Sequence, residues 1–432
     1  MAFTCEPRTL HTEGVALQED KDSVTLEGGR AAWATAFGSF LVQFCGLGYA
    51  SSFGVYEDFY IQHYLTNETP SAISWMGSSS AFLICAVGLV SGSLYDRGYF
   101  YHLMITGSLL QSFSLFMLSL SKPDQYYQIF LSQGLGLGVA MGLMFIPSIA
   151  IISHHFQERR TLVMAFTISG SSLGAIVHPI MLNNFLDGPL GFANGVRASA
   201  GFVSALLLIA CLCMRTRLDP PTTPVNYIAA ARKCLRDVPF TLMVAGGFLF
   251  QTGLFYPAYF IQLDSIKHGI NVAFSSYSLA ILNASSLIGR ATSGFIAPFT
   301  GVPNLAIIAT MSCSVLIFGM IGLNSLASVV VLAVLHGYFE GLFVAITPPL
   351  MATLTPDLSE LGARMGIAVF IGGFGSLIGP PISGALLTSN YIWWIPALFS
   401  GMVSLTGSIV FFIMRDAFVK EQIEDRPIDY GL

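Results

Sequence analysis

Charge is what this chain has least of. Asp, Glu, Lys and Arg make up 10% of its 432 residues, while 54% are hydrophobic and the mean hydropathy is +0.69. Soluble domains carry about 25% charged residues, so a water-soluble fold this poor in charge would be unable to cover its own surface. The 19 Lys and Arg against 24 Asp and Glu leave a net charge of −5, which gives no basic face for nucleic acid. The seven cysteines follow neither a metal-ligand spacing nor a disulfide framework, and no cofactor or metal is expected. No Lys-Ser/Thr follows the glycines of Gly372–Gly379, so that run is not read as a phosphate loop, and with no nucleotide domain in this sequence an ATP-driven pump is not expected. The adjacent His154 and His155 lack companion carboxylates, so an enzyme is not expected either. Residues 1–26 contain no apolar leader core, so no cleavable signal is expected and the first apolar run itself directs insertion.

What is present is a series of long apolar runs. Twelve fall between residues 32 and 414, each near the roughly 20 residues a bilayer requires, with charge, Pro and Gly gathered between them. The expected fold is all-α, with twelve transmembrane helices in two six-helix bundles. Residues 1–26 read as a disordered cytosolic tail, 27–214 as the first bundle, 215–238 as a cytosolic linker, 239–414 as the second bundle and 415–432 as a second cytosolic tail. Fifteen of the 19 Lys and Arg lie in segments that are internal if both termini are cytosolic. Only Lys122, Arg197 and Lys267 then fall outside, and Arg290 lies within a span. Cytosolic loops carry the Lys/Arg excess, so both termini are expected inside. The plasma membrane is the first expectation, a vacuolar or other organelle membrane the second.

The two halves repeat. Arg160, Gly170 and Gly174 in span five match Arg364, Gly375 and Gly379 in span eleven, and Gly134, Gly138 and Pro147 in span four match Gly337, Gly341 and Pro348 in span ten. Halves related in this way, with a site between them, are a secondary-transporter architecture.

Arg290 is the most informative residue. At mid-bilayer a charge costs at least about 2.5–3.5 kcal/mol and therefore faces protein or water. Ser276, Asn283, Ser286 and Arg290 lie on one helical face. Two readings of Arg290 stand open: a planar fork for an anionic solute, or a standing partner for Glu340, the one acid deep in a span. Glu340 is in turn either a proton carrier or a fixed structural acid. His178 is either a titrating group or a hydrogen-bonded packing residue. Gln251, Phe255 and Tyr259 in span seven, and Gln43 in span one, either contact solute or pack between helices.

Several stretches resemble the major facilitator superfamily. Gly92-Ser93-Leu94-Tyr95-Asp96-Arg97-Gly98 resembles its G-x-L-x-D-R-x-G loop, with the first glycine one place early. Glu27-Gly28-Gly29 with Trp33, then Phe156 with Arg159, Arg160, Ala165, Gly170, Ser171 and Gly174, resemble signatures of its monocarboxylate-porter branch. So does Gly289-Arg290 with Gly294, and the chain looks most like fungal members of that branch, whose relatives carry diverse solutes including riboflavin. The resemblance implies Asp96, Arg97 and Arg160 as gating residues and Arg290 as the substrate arginine. Two departures matter. The family's aspartate one turn before the arginine is Ser286 here, and its span-one lysine falls where Ser51, Ser52 and Phe53 stand. Lactate- or pyruvate-type symport therefore does not carry over.

The expected function is secondary active transport of a small organic solute by alternating access, monocarboxylate-like or another small metabolite. An anionic solute and coupling to protons are open components of that expectation. The expected partners are the solute, a proton and the lipid bilayer, and the chain is expected to work as a monomer. The alternative is a non-transporting membrane solute sensor on the same fold.

Overall fold

The computed structural model describes residues 28–186, 188–217, 227–270, 272–387 and 392–424. The expected tail 1–26, the centre of the linker and the side chain of Ser276 lie outside them. The first run is broken into α1 (Arg30–Cys45), α2 (Leu47–Ala50) and α3 (Phe53–Phe59), and ends in a π-helical turn, Tyr60–Tyr64. Next come α4 (Pro70–Asp96), α5 (Phe100–Leu118), the short α6 (Tyr126–Ile129) with a π-helical stretch Phe130–Gly136, α7 (Leu137–Ala150), α8 (Arg160–Leu186) and α9 (Gly191–Cys213). Within the linker, α10 (Tyr227–Arg236) forms a short helix. Beyond it lie α11 (Val238–Leu254), α12 (Tyr256–Lys267), α13 (Val272–Thr300), α14 (Val302–Gly319), α15 (Leu326–Thr353), α16 (Leu361–Leu386) and α17 (Trp394–Glu424). The chain is all-α, as expected, and α17 continues well past residue 414.

Ten helical segments among the described residues are long and apolar enough to cross a membrane. The other two expected spans, α5 and α13, are helical too, but His102 and Gln111 in the first and Arg290 in the second dilute their apolarity. Large apolar side chains face outward, such as Leu109 at 66% and Phe299 at 91% exposure. A surface of that kind is stable against lipid, not water.

Helix ends follow local chemistry. Thr69 accepts from Ala72 N at 3.2 Å and caps α4, with Pro70 at its first turn. Ser325 and Ser328 cap α15 reciprocally. The turn after α4 is made at Gly98, whose φ of +87° a side chain would strain.

Glycines bring helix backbones together. On α8, Gly170 and Gly174 lie against the carbonyls of Phe40 and Phe44 in α1. On α16, Gly375 and Gly379 lie against those of Phe248 and Thr252 in α11. Any Cβ at these points would strike backbone, which is why small residues recur at membrane helix interfaces. The same device joins α7 to α4 through Gly138 and Gly142, and α15 to α13 through Gly337 and Gly341. Here the packing corrects the sequence pairing, because Gly142 and not Gly134 completes the match. Gly134 lies in the π-helical stretch and faces the Phe130 ring of its own segment. The wider i→i+5 turns there take up an extra residue and shift the helical register.

The breaks in the first and seventh runs also correspond. Gly46 leaves helical geometry at φ −85°, ψ −99°, and Pro257 removes a backbone donor just after Phe255. Carbonyls near a helix end lose their i→i+4 partners, and side chains from other helices replace them. His178 Nε2 donates to Phe44 O at 3.2 Å, Gln111 Nε2 to Cys45 O at 2.6 Å and His336 Nε2 to Leu254 O at 3.2 Å. A carbonyl only accepts, so both histidines carry their proton on Nε2.

Candidate functional site

The helices before and after the linker meet closely at one end of the molecule, which holds Asp96, Arg160 and Arg364. Gly92 of α4 abuts the Gly362 carbonyl of α16, and Gly294 of α13 abuts Leu162 of α8. Between the first two, Asp96 Oδ1 accepts from Gly362 N at 2.8 Å and Oδ2 from Ala363 N at 2.6 Å. These are the second and third residues of α16, so Asp96 caps in trans a helix it does not belong to. The unpaired N–H groups and the positive end of the helix dipole both favour a carboxylate there. Its neighbour Arg97 is exposed.

Arg160 opens α8, half-buried, with no ion-pair partner among the described residues. Its repeat counterpart is anchored. Arg364 is 1% exposed, and its Nη1 donates to Asp237 at 2.5 Å and to Leu354 O at 3.3 Å, with the guanidinium 5.0 Å over the Phe240 ring. Asp237 also caps α11 by accepting from Phe240 N at 3.1 Å, and Glu360 adds a 3.0 Å ion pair to Lys233 of α10. In the sequence Arg364 stands out as a repeat marker and as one of the internal positive charges, and this cluster is not evident there. The signal for it was Asp237 standing directly before an apolar run.

Electrostatics at this end fall on the loops. Hydrogen bonds from Ser359 hold the Asp357 carboxyl below its usual range. Burial pushes the His155 imidazole below its usual value, against the 2.7 Å bond from Nε2 to Arg215 O, which works the other way.

Deeper in the molecule, Arg290 reaches from α13 to α8, where its Nη1 donates to Ser171 Oγ at 2.5 Å. The Ser171 hydroxyl in turn donates to Ile168 O at 2.7 Å. No nitrogen of Arg290 lies within 4.0 Å of a Glu340 oxygen, although each sits in the other's field. Arg290 Nε, Glu340 Oε2 and Ser286 Oγ are all buried without a hydrogen-bond partner. An unmet buried polar atom costs about 1–3 kcal/mol.

The other expected site residues divide. Gln251 is half-buried and accepts from Ser376 Oγ at 3.1 Å. Asn283 and Phe255 are half-buried, and Tyr259 is 65% exposed. Gln43 is fully buried and turns to α7, donating to Ser148 Oγ at 2.9 Å. His178 is enclosed by Phe44, Tyr49 and Phe202. Two signature stretches meet in space, with the Trp33 and Phe156 rings edge-to-face at 5.3 Å. The sequence reading also missed a cavity between α2, α3, α4, the π-helical stretch and α7, lined by Tyr49, Phe53, Ser80, Gln133, Leu137 and Met141 among others.

Comparison with known proteins supplies the family frame. The model described as Major Facilitator Superfamily matches residues 32–329 and 269–427. The aspyridones efflux protein apdF of Emericella nidulans is 35% identical over 386 residues, covering 89% of this chain and 78% of its own. The agnestins efflux protein of Paecilomyces divaricatus is 33% identical over 378 residues, covering 88% and 86%. The fujikurins efflux protein of Gibberella fujikuroi is 30% identical over 439 residues, covering 97% and 91%. Among solved structures, the E. coli fucose:proton symporter FucP superposes with a TM-score of 0.69 at 13% identity, covering 88% of this chain and 98% of that one. The human organic anion transporter MFSD10 gives 0.68 at 14%, covering 88% and 99%.

Proposed function

The chain belongs to the Major Facilitator Superfamily and, as a multi-pass integral membrane protein, moves a small organic solute across a membrane; from that premise we propose that it exports the solute by alternating access, with Arg290 as the switching group. Two six-helix halves, 27–214 and 239–414, rock about a path between them, joined by the 215–238 linker. The end carrying Asp96 and Arg364 faces the cytosol, both termini lie on that side, and the membrane is the plasma membrane. Export is drawn from the relatives named as efflux proteins of aspyridones, agnestins and fujikurins. The single chain works as a monomer.

The observation that carries this reading is the bond from Arg290 to Ser171, made across the two halves while Nε and the facing Glu340 Oε2 stay unmatched. A guanidinium with one partner on the opposite half and an acid on its own half has two positions to choose between. An ionised Glu340 draws Arg290 back and frees Ser171. A proton on Glu340, or an anionic group on the solute, removes that pull. Monocarboxylate-branch character is supported by the Trp33–Phe156 contact between two of its signatures. Asn283, Gln251, Phe255, Tyr259 and Gln43 are the proposed solute contacts, His178 is the second titratable candidate, and Asp96, Arg97 and Arg160 gate the cytosolic end.

The test uses proteoliposomes loaded with a panel of small carboxylic acids and their neutral esters, with efflux read by mass spectrometry. Arg290→Ala is expected to lose at least ~10-fold in efflux, equivalent to about 1.4 kcal/mol, while eluting as folded protein. Arg290→Lys guards against a folding defect. Wild-type efflux from a folded Arg290→Ala sinks the reading. Glu340→Gln is expected to retain downhill efflux and lose its response to a pH gradient; an unchanged response removes Glu340 from the mechanism.

A further inference from the structure

The cavity in the first half is built from residues 49 to 141 alone and offers about 70 Å³ of space that a water molecule can reach. Every residue lining it is uncharged. Its apolar wall is Phe53, Leu137 and Met141. The Phe53 ring rests on Gly77, where an added Cβ would lie 2.5 Å from the ring, so only glycine lets that ring take this position.

Its polar wall is unusually incomplete. Gln133 is 4% exposed, and its Oε1 accepts from Tyr60 Oη at 2.5 Å. The amide is planar, so fixing the oxygen directs the –NH2 group away from Tyr60, and Nε2 has no partner among the described residues. Ser80 Oγ on the same wall also has none. Both members of the Tyr60–Gln133 pair stand in π-helical segments, Tyr60–Tyr64 and Phe130–Gly136, a rare backbone form that is frequent at functional sites. Tyr49, bonded to Tyr56 at 2.6 Å, closes the cavity beside them.

We propose that this cavity is a solute subsite for an uncharged hydrogen-bond acceptor, a carbonyl or ether oxygen, carried on an apolar or aromatic framework, with Gln133 Nε2 and Ser80 Oγ as its donors. The proposal rests on the transport reading and adds the chemical class of the solute. Arg290 belongs to a different set of side chains, so a solute using both presents a neutral body here and its acidic group elsewhere. Apolar walls with a few placed donors are how small-molecule sites combine affinity with orientation.

The test irradiates the full chain in lipid nanodiscs with benzophenone, a neutral diaryl ketone that inserts into nearby C–H bonds, and maps adducts by peptide mass spectrometry. Adducts are expected on Met141 and Leu137. They should fall at least ~5-fold in Gly77→Val, which displaces Phe53 into the cavity, and in Gln133→Glu, which keeps the size and the Tyr60 bond but loses the donors. Gln133→Leu is a second variant with neither polar group. The carboxylate analogue 4-benzoylbenzoate should label Met141 at least ~5-fold less. Equal labelling by the two ketones, or benzophenone adducts that ignore these substitutions, overturns the proposal. Efflux measured on the same preparations separates the two readings. Efflux with Met141 unlabelled overturns the subsite and leaves transport standing, whereas specific Met141 labelling without efflux supports the subsite and counts against transport.

Discussion

The two halves share their packing and differ in their charges. α8 lies on α1, and α16 on α11, through glycines four residues apart that meet backbone carbonyls. Both first helices of a half break, and both breaks are patched by a buried histidine from another helix. The ionic fittings do not repeat. Arg364 is held by Asp237 and Leu354 O, while Arg160 has no such partner among the described residues. Asp96 caps the opposite half, and Pro298 stands at the corresponding place in α13. A duplicated scaffold thus fixes shape symmetrically, and unequal charges then give its two sides different work. At the end that holds them, the second half's Arg364 is anchored within its own half, while the first half's Asp96 reaches across.

The comparison is broken most severely at the glycines. Gly174→Val and Gly379→Val should each destabilise by about 3 kcal/mol or more, since a branched side chain cannot share space with a carbonyl. Near-equal loss of folded protein in thermal melts supports the shared scaffold, and a large effect on one side only denies it. Next come the arginines. Arg364→Ala leaves Asp237 unpaired, a change of about 3–5 kcal/mol for a buried pair, whereas Arg160→Ala should shift stability by less than about 0.5 kcal/mol. Equal melting shifts would erase the asymmetry.

A smaller effect is expected at the latch. Asp96→Asn keeps one acceptor and loses the charge facing the α16 terminus, about 1 kcal/mol. Cysteine-accessibility labelling near Leu162 should then rise several-fold as this end opens more often, and unchanged labelling would show that Asp96 does not hold it shut. The smallest concerns pH. Burial makes His155 harder to protonate in the folded chain than its ordinary value of about 6.5. Its contribution to stability is therefore complete above that pH and shrinks as pH falls below it. His155→Gln should flatten that part of a stability–pH curve, and an identical curve would remove His155 as a cause.

Much of the architecture was legible in one dimension. Apolar runs, Pro and Gly placement and the Arg/Gly repeat follow from residue chemistry acting over a single helix. So does the expectation that Arg290 is shielded from lipid. The site was less legible, for reasons visible in particular residues. Sequence spacing left Gln43 and Gln251 open between solute contact and helix packing, and it held no sign that one would bond Ser148 and the other Ser376. The π-helical stretch at Phe130–Gly136 displaced the helical count, so neither the Gly142 pairing nor the direction of Gln133 was evident.

The sequence alone determined that this protein lives in a bilayer, is helical, and carries Arg290 within an apolar run shielded from lipid, because those follow from local hydropathy and the cost of burying charge. Tertiary structure decided which partners met. Arg290 found Ser171, 119 residues away, and Asp96 found Gly362, 266 residues away. Such meetings depend on how helices rotate and slide against one another, and periodicity within a single helix carries no information about that.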